Sequence, residues 1–253
     1  MMQPIHRSRH LVLLLSLLLA GCVTTGDKPR KVDPEAARDA YIQLGIGYLQ
    51  KGETERAKQP LSEALKLDPR SASANMVLAL VFQQEGEYPA AEQHFRAALS
   101  ADPANARILN NYGAFLLDRE RYAEALSYFQ KAAEDTLYSE RSRVFENMGI
   151  TYLRMGDTAS ARENLERSLR LNSRQPRALF ELAQLEFDAG DFVPAWNHYR
   201  RFDQLSTQNA TSLWLGVRLA RRFEDHSSAV SYGLQLKRLY PNSPEAKALV
   251  ESE

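Results

Sequence analysis

The sequence predicts an all-α chain: a right-handed superhelical array of about six helix–turn–helix repeats, closed by a short C-terminal capping helix. Three observations predict it. A small residue recurs in a fixed setting at a period near 34 residues. An alanine and then a large side chain follow it at constant offsets. Glycine and proline are sparse, 12 and 11 in 253 residues, in a chain whose 32 basic and 32 acidic residues are evenly mixed.

The first repeat sets the register. Leu44-Gly45 recurs as Leu78-Ala79, Tyr112-Gly113, Met148-Gly149, Leu182-Ala183 and Leu215-Gly216, at spacings of 34, 34, 36, 34 and 33 residues. Three residues beyond each small residue stands Tyr48, Phe82, Leu116, Tyr152, Glu186 or Leu219. Twelve beyond comes Ala57, Ala91, Ala125, Ala161 or Ala195, with Ala229 one place late. One turn later sit Leu61, Phe95, Phe129, Leu165, Tyr199 and Gly233. A small residue on the first helix lets the second approach, and the large residue a turn away fills the space beside that contact. This is the 34-residue tetratricopeptide pattern.

Punctuation follows the register. Pro69, Pro103 and Pro241 close three units, since proline cannot donate the amide a continuing helix needs. Asp68-Pro69 and Asp102-Pro103 are expected to cap the helix that follows. Pro60 falls inside a second helix and predicts a kink. Pro89 and Pro194 fall in first turns, where proline is tolerated. Two extra residues interrupt the period at Asp135-Thr136-Leu137-Tyr138. Ser243-Pro244-Glu245 predicts the start of the capping helix, whose polar outer side closes the stack. Residues 34–253 are therefore assigned to the repeat domain.

Residues 1–21 read as an export signal. His6, Arg7, Arg9 and His10 precede the nine-residue apolar run Leu11 to Leu19, which is too short to span a bilayer. The run ends in Leu19-Ala20-Gly21-Cys22, which resembles the bacterial lipobox and implies a lipid-bearing Cys22 as first residue of the mature chain. Several acyl chains hold a protein to a membrane where one holds only marginally. Val23 follows the cysteine; the absence of aspartate there points to the outer membrane. Residues 22–33 are expected to be the lipidated cysteine and a polar tether. Without the signal's two arginines the chain is slightly acidic, which speaks against nucleic-acid binding. Cys22 is the only cysteine, so stability rests on packing.

A partner would be taken on the concave face, built from the first helix of each unit. In unit one, Tyr41, Leu44 and Tyr48 form the packing stripe, and Ile42, Ile46 and Leu49 form an opposite one. Unit two adds Met76 and Leu80 to this inner stripe. An apolar stripe on each side of one helix predicts a hydrophobic binding groove, unless the tether or a preceding turn folds over it. Further along, the face holds Arg107, Asn110, Arg143, Glu146, Arg154 and Arg177. Asn111 and Asn147 occupy one repeat position and suit either a clamp on an extended segment or bonds to a neighbouring helix.

Catalytic residues are not predicted. His6 and His10 belong to the signal, His94 and His198 share one repeat position, and His226 lies near a turn. The sequence has no HExxH, no Cys/His cluster and no phosphate-binding glycine loop. Neither a metal nor a cofactor is expected beyond lipid on Cys22, and the protein is expected to be a monomer.

Ala37 to Gly45, Leu109 to Gly113, Ser142 to Asn147 and Tyr232 to Pro241 resemble the PilW/PilF family, outer-membrane tetratricopeptide lipoproteins of type IV pilus biogenesis. The likeness covers nearly the whole chain, and the insertion before Asn147 is its most specific part. The resemblance implies a pilotin: a lipoprotein on the periplasmic face of the outer membrane that binds the pilus secretin subunit in its groove and promotes secretin localisation and multimerisation. The alternative is a scaffold lipoprotein serving barrel assembly, a cell-wall enzyme or polysaccharide export.

Overall fold

The computed structural model describes residues 33–252, so the signal, Cys22 and nearly all of the tether lie outside the described residues. Thirteen helices and no strands occur among them. They are α1 (Pro34–Gln50), α2 (Thr54–Leu67), α3 (Ala72–Gln84), α4 (Tyr88–Ala101), α5 (Ala106–Asp118), α6 (Tyr122–Glu134) and α7 (Arg141–Arg154). They continue with α8 (Thr158–Leu171), α9 (Pro176–Asp188), α10 (Phe192–Asp203), α11 (Ala210–Arg222), α12 (His226–Leu239) and α13 (Pro244–Glu251). Six helix pairs carry the six units. Each second helix also packs on the first helix of the next unit. None of the described helices is long and apolar enough to cross a membrane.

The small residues sit where the two helices of a pair meet. A methyl on Gly113 would lie 2.6 Å from Phe129 Cε1, and one on Gly149 2.6 Å from Leu165 Cγ. Phe129 and Leu165 are fully buried. In unit six the large second-helix residue is replaced by Gly233. Tyr199 of unit five closes on Gly216 instead, and Leu249 of α13 lies over Gly233. Ser243 caps α13 by accepting from the Ala246 amide at 3.1 Å.

The turn within each pair needs one residue with positive φ. Gly52, Gly86, Gly156 and Gly190 supply it, but in units three and six the position is taken by Glu120 (φ 60°) and Glu224 (φ 56°).

Several local expectations are corrected. The Asp-Pro pairs terminate helices and do not cap the next. Asp68 ends α2 and accepts from the Arg70 amide, while Ser71 caps α3. Asp102 ends α4 and accepts from the Asn105 side chain, and Asn105 caps α5. The linker is three residues longer than a cap would need, so the cap role passes to its last residue. Pro60 lies inside α2 as expected and is buried there, without ending the helix. Of the expected packing stripe in unit one, Tyr41 is 38% and Leu44 47% exposed. Such a stripe packs on the second helix of a preceding unit, and the described residues contain none.

Candidate partner-binding groove

The first helices α1, α3, α5, α7, α9 and α11 form the inner face, and their side-by-side packing decides what that face presents. At the seam of units one and two it closes part of the predicted apolar stripe, at Ile42 and Met76. Ile42 (5% exposed) and Met76 (7%) lie within one core cluster with Leu61, Val77 and Ile108. They are structural side chains at the seam between α1 and α3, not walls of an open groove. Ile46 and Leu49 are half-buried against the same cluster, and Leu80 against the next one. The accessible apolar surface on the inner side at this end is thus Ile46, Leu49 and Leu80, while Tyr41 and Leu44 are exposed on the opposite stripe of α1.

The two asparagines bond to a neighbouring helix, the second of the two roles considered for them. Asn147 Nδ2 donates to Asn110 Oδ1 at 3.1 Å, and Asn111 Nδ2 approaches Met76 Sδ at 3.5 Å. Each reaches back to the residue one repeat position earlier in the preceding unit. Both remain half-exposed and line one cavity of about 360 Å³ with Asn110, Arg143, Glu146 and Arg177. Glu181 continues the row in unit five. Burial pushes the Glu146 and Glu181 carboxyls above the usual range, against the opposing pull of Arg177 on both. Glu146 Oε2 accepts from the Ala178 amide at 3.2 Å, near the start of α9.

Arg107, Arg143 and Arg177 occupy the same position in units three, four and five, each exposed in the first turn of its helix. Arg143 pairs with Glu140 at 3.2 Å. Arg107 and Arg177 form no salt bridge among the described residues.

The sequence reading missed Tyr138. The loop from Asp135 to Glu140 holds the two inserted residues, and it brings Tyr138 to the inner face. Tyr138 lines one cleft with Arg107 and the next with Arg143. The insertion itself was the available signal; its length was read, but not where it would deliver a side chain.

No group of His, Cys, Asp and Glu among the described residues is arranged to hold a metal. His94 stacks on Phe82 and lies 2.9 Å from Asn75 Oδ1. At the same position His198 lies 2.8 Å from Glu186 Oε2, while Arg162 contacts Glu186 Oε1 at 3.3 Å. The buried glutamate at a slot otherwise filled by aromatic residues or leucine is thereby satisfied on both oxygens.

Comparison with known proteins agrees with this architecture. Tetratricopeptide repeat family profiles match residues 42–106, 105–174 and 147–210. The Type IV pilus assembly protein PilF of Pseudomonas aeruginosa is 55% identical over 238 residues, 93% of this chain and 94% of that protein. The solved structure of P. aeruginosa PilF superposes with a TM-score of 0.85 at 53% identity, covering 87% of this chain and 99% of the other. PilW, described as a widely conserved type IV pilus biogenesis factor, superposes with a TM-score of 0.74 at 31% identity, covering 84% and 98%. The fold is that of a tetratricopeptide-repeat protein. Within that class, the chain belongs to the PilF/PilW family of type IV pilus proteins.

Proposed function

We propose that the protein is a pilotin of type IV pilus biogenesis. It is a non-enzymatic, monomeric outer-membrane lipoprotein that binds the pilus secretin subunit and promotes its localisation and multimerisation. The observation that carries this reading is 55% identity to PilF along almost the whole length of both proteins. Lipid on Cys22 supplies the membrane address and leaves the repeat domain on the periplasmic face. A secretin subunit has apolar and strand-edge surface to shield before insertion. The surface offered to it is Ile46, Leu49 and Leu80; Ile42 and Met76 support it from beneath.

The test is secretin multimer content in separated inner and outer membranes. The strains carry wild type, Cys22→Ser, and Ile46→Glu/Leu80→Glu with its fold checked by circular dichroism. The reading expects multimers to be lost from the outer membrane in both variants, with subunits mislocalised in Cys22→Ser. Normal multimers in both, and in a deletion strain, would overturn it in favour of another envelope machine.

A further inference from the structure

We infer that the edge of the array carrying the linkers between units seats on an anionic phospholipid surface, with Leu137 and Leu171 as its apolar contacts. The inference rests on the reading of Cys22 as the lipid anchor. Helices alternate in direction, so the array has two edges. One holds the turns within the pairs. The other holds the linkers, the ends of the second helices and the starts of the first ones. The chain enters α1 at Pro34, on the linker edge. Cys22 stands eleven residues before Asp33, a reach of about 40 Å at most. The 17 residues of α1 put the opposite edge about 25 Å further away, more than half of that reach.

Charge separates the two edges. The linker edge comprises Asp33, the linkers, the last four residues of each second helix and the first four of each helix that begins there. It holds 14 Lys and Arg against nine Asp and Glu. The turn edge, taken in the same way, holds seven against 13. Helix dipoles do not account for this, because helices begin and end on both edges alike. Lys28, Arg30 and Lys31 against Asp27 give the tether the same sign as the edge it joins. Basic groups near an anionic leaflet are drawn to it.

The insertion between units three and four shapes the seat. Leu137 is 93% exposed, and its loop is tied down. The Leu137 amide donates to Asp135 Oδ1 at 3.0 Å, and Arg141 Nε to the Ala133 carbonyl at 2.8 Å. A cleft of about 690 Å³ runs from this loop to the next linker, lined by Arg141, Arg143, Arg174 and half-exposed Leu171. Glu140 also lines it and takes up Arg143 at 3.2 Å. Arg174 forms no ion pair among the described residues. Guanidinium beside leucine matches a lipid at its phosphate and acyl boundary. An acidic peptide would answer the charge and leave Leu137 in water. Met155 and Val193 are exposed on the turn edge, but beside Asp157 and Asp191, which an anionic surface repels. The inner face lies between the edges, so it stays open when one of them is seated.

The test places an environment-sensitive fluorophore on Leu137→Cys or Val193→Cys in the whole lipoprotein purified from membranes. The protein is reconstituted into phosphatidylcholine vesicles with or without phosphatidylglycerol, some of them carrying a nitroxide-labelled lipid as quencher. In vesicles with phosphatidylglycerol the label at position 137 should shift to the blue and be quenched, and the label at 193 should not. Omitting phosphatidylglycerol or adding salt should reduce the quenching at 137. Lys131→Glu/Arg174→Glu, two exposed positions that leave the core intact, should reduce it as well. Equal quenching at the two positions, stronger quenching at 193, or quenching at 137 that ignores phosphatidylglycerol would each overturn the inference. Failure of the protein to float with vesicles would overturn the anchor and this inference together. The pilotin reading fails differently, by normal secretin multimers, which these labels do not report.

Discussion

Asn147 donates to Asn110 across the seam between α7 and α5, at 3.1 Å. Asn110 is buried, so the bond satisfies an oxygen that water reaches poorly. The same reach from Asn111 to Met76 ties α5 to α3. The row of amides thus links the first helices of units two to four while keeping polar atoms on the inner face.

Removing that donor should be costly. Asn147→Ala leaves the buried Asn110 oxygen short of a partner, and a loss of about 1–3 kcal/mol is expected. Urea denaturation measures it. Asn110→Ala/Asn147→Ala should cost less than the sum of the two single changes, because the pair is lost only once.

Close approach at Gly113 makes a sharper case. A methyl there would meet Phe129 at 2.6 Å, and Phe129 is fully buried. Gly113→Ala should lower stability by about 1–3 kcal/mol through overpacking. Phe129→Leu in the same chain should recover part of the loss, seen as a rise in Tm over the single variant.

Glu120 and Glu224 hold a left-handed backbone that four equivalent turns give to glycine. Relief of that strain exceeds the extra freedom glycine gives the unfolded chain, so Glu120→Gly and Glu224→Gly should each stabilise by about 0.5–1 kcal/mol. The two sites lie three units apart, and thermal unfolding of the double variant should show additive gains.

Burial raises the Glu181 carboxyl pKa, with Arg177 and Arg154 opposing. The folded state therefore holds its proton more tightly than the unfolded state. The stability this contributes is complete below the ordinary carboxylate range and is lost as pH rises through the folded value. Glu181→Gln, which does not ionise, should have a higher Tm than wild type at neutral pH. The gap should close as pH falls below the ordinary carboxylate range; a gap that is constant with pH would show that the charge is not its cause.

Much of this fold was legible because the repeat states each rule six times. The pairing of Gly113 with Phe129 and of Gly149 with Leu165, and the cap at Ser243, follow from offsets along the chain. Seam depth does not. Ile42 lies on the predicted inner stripe, yet periodicity names only a side of the helix, and how far α3 slides over that side depends on packing between units. Tyr138 was hidden for a related reason. An insertion breaks the register, so the register cannot say where the inserted side chain goes. The repeat offers no reason for a glutamate at position 186, because Arg162 and His198, which satisfy it, come from other helices.

Leu249 of α13 reaches the space that Gly233 leaves open, the place a further first helix would otherwise claim. The last helix is therefore a stopper fitted to its seat. An ancestor or an engineer wishing to lengthen this protein could not append a seventh unit behind the sixth without evicting the stopper. Growth would have to come by duplication within the array, and the terminal pair with its plug would be inherited as one piece.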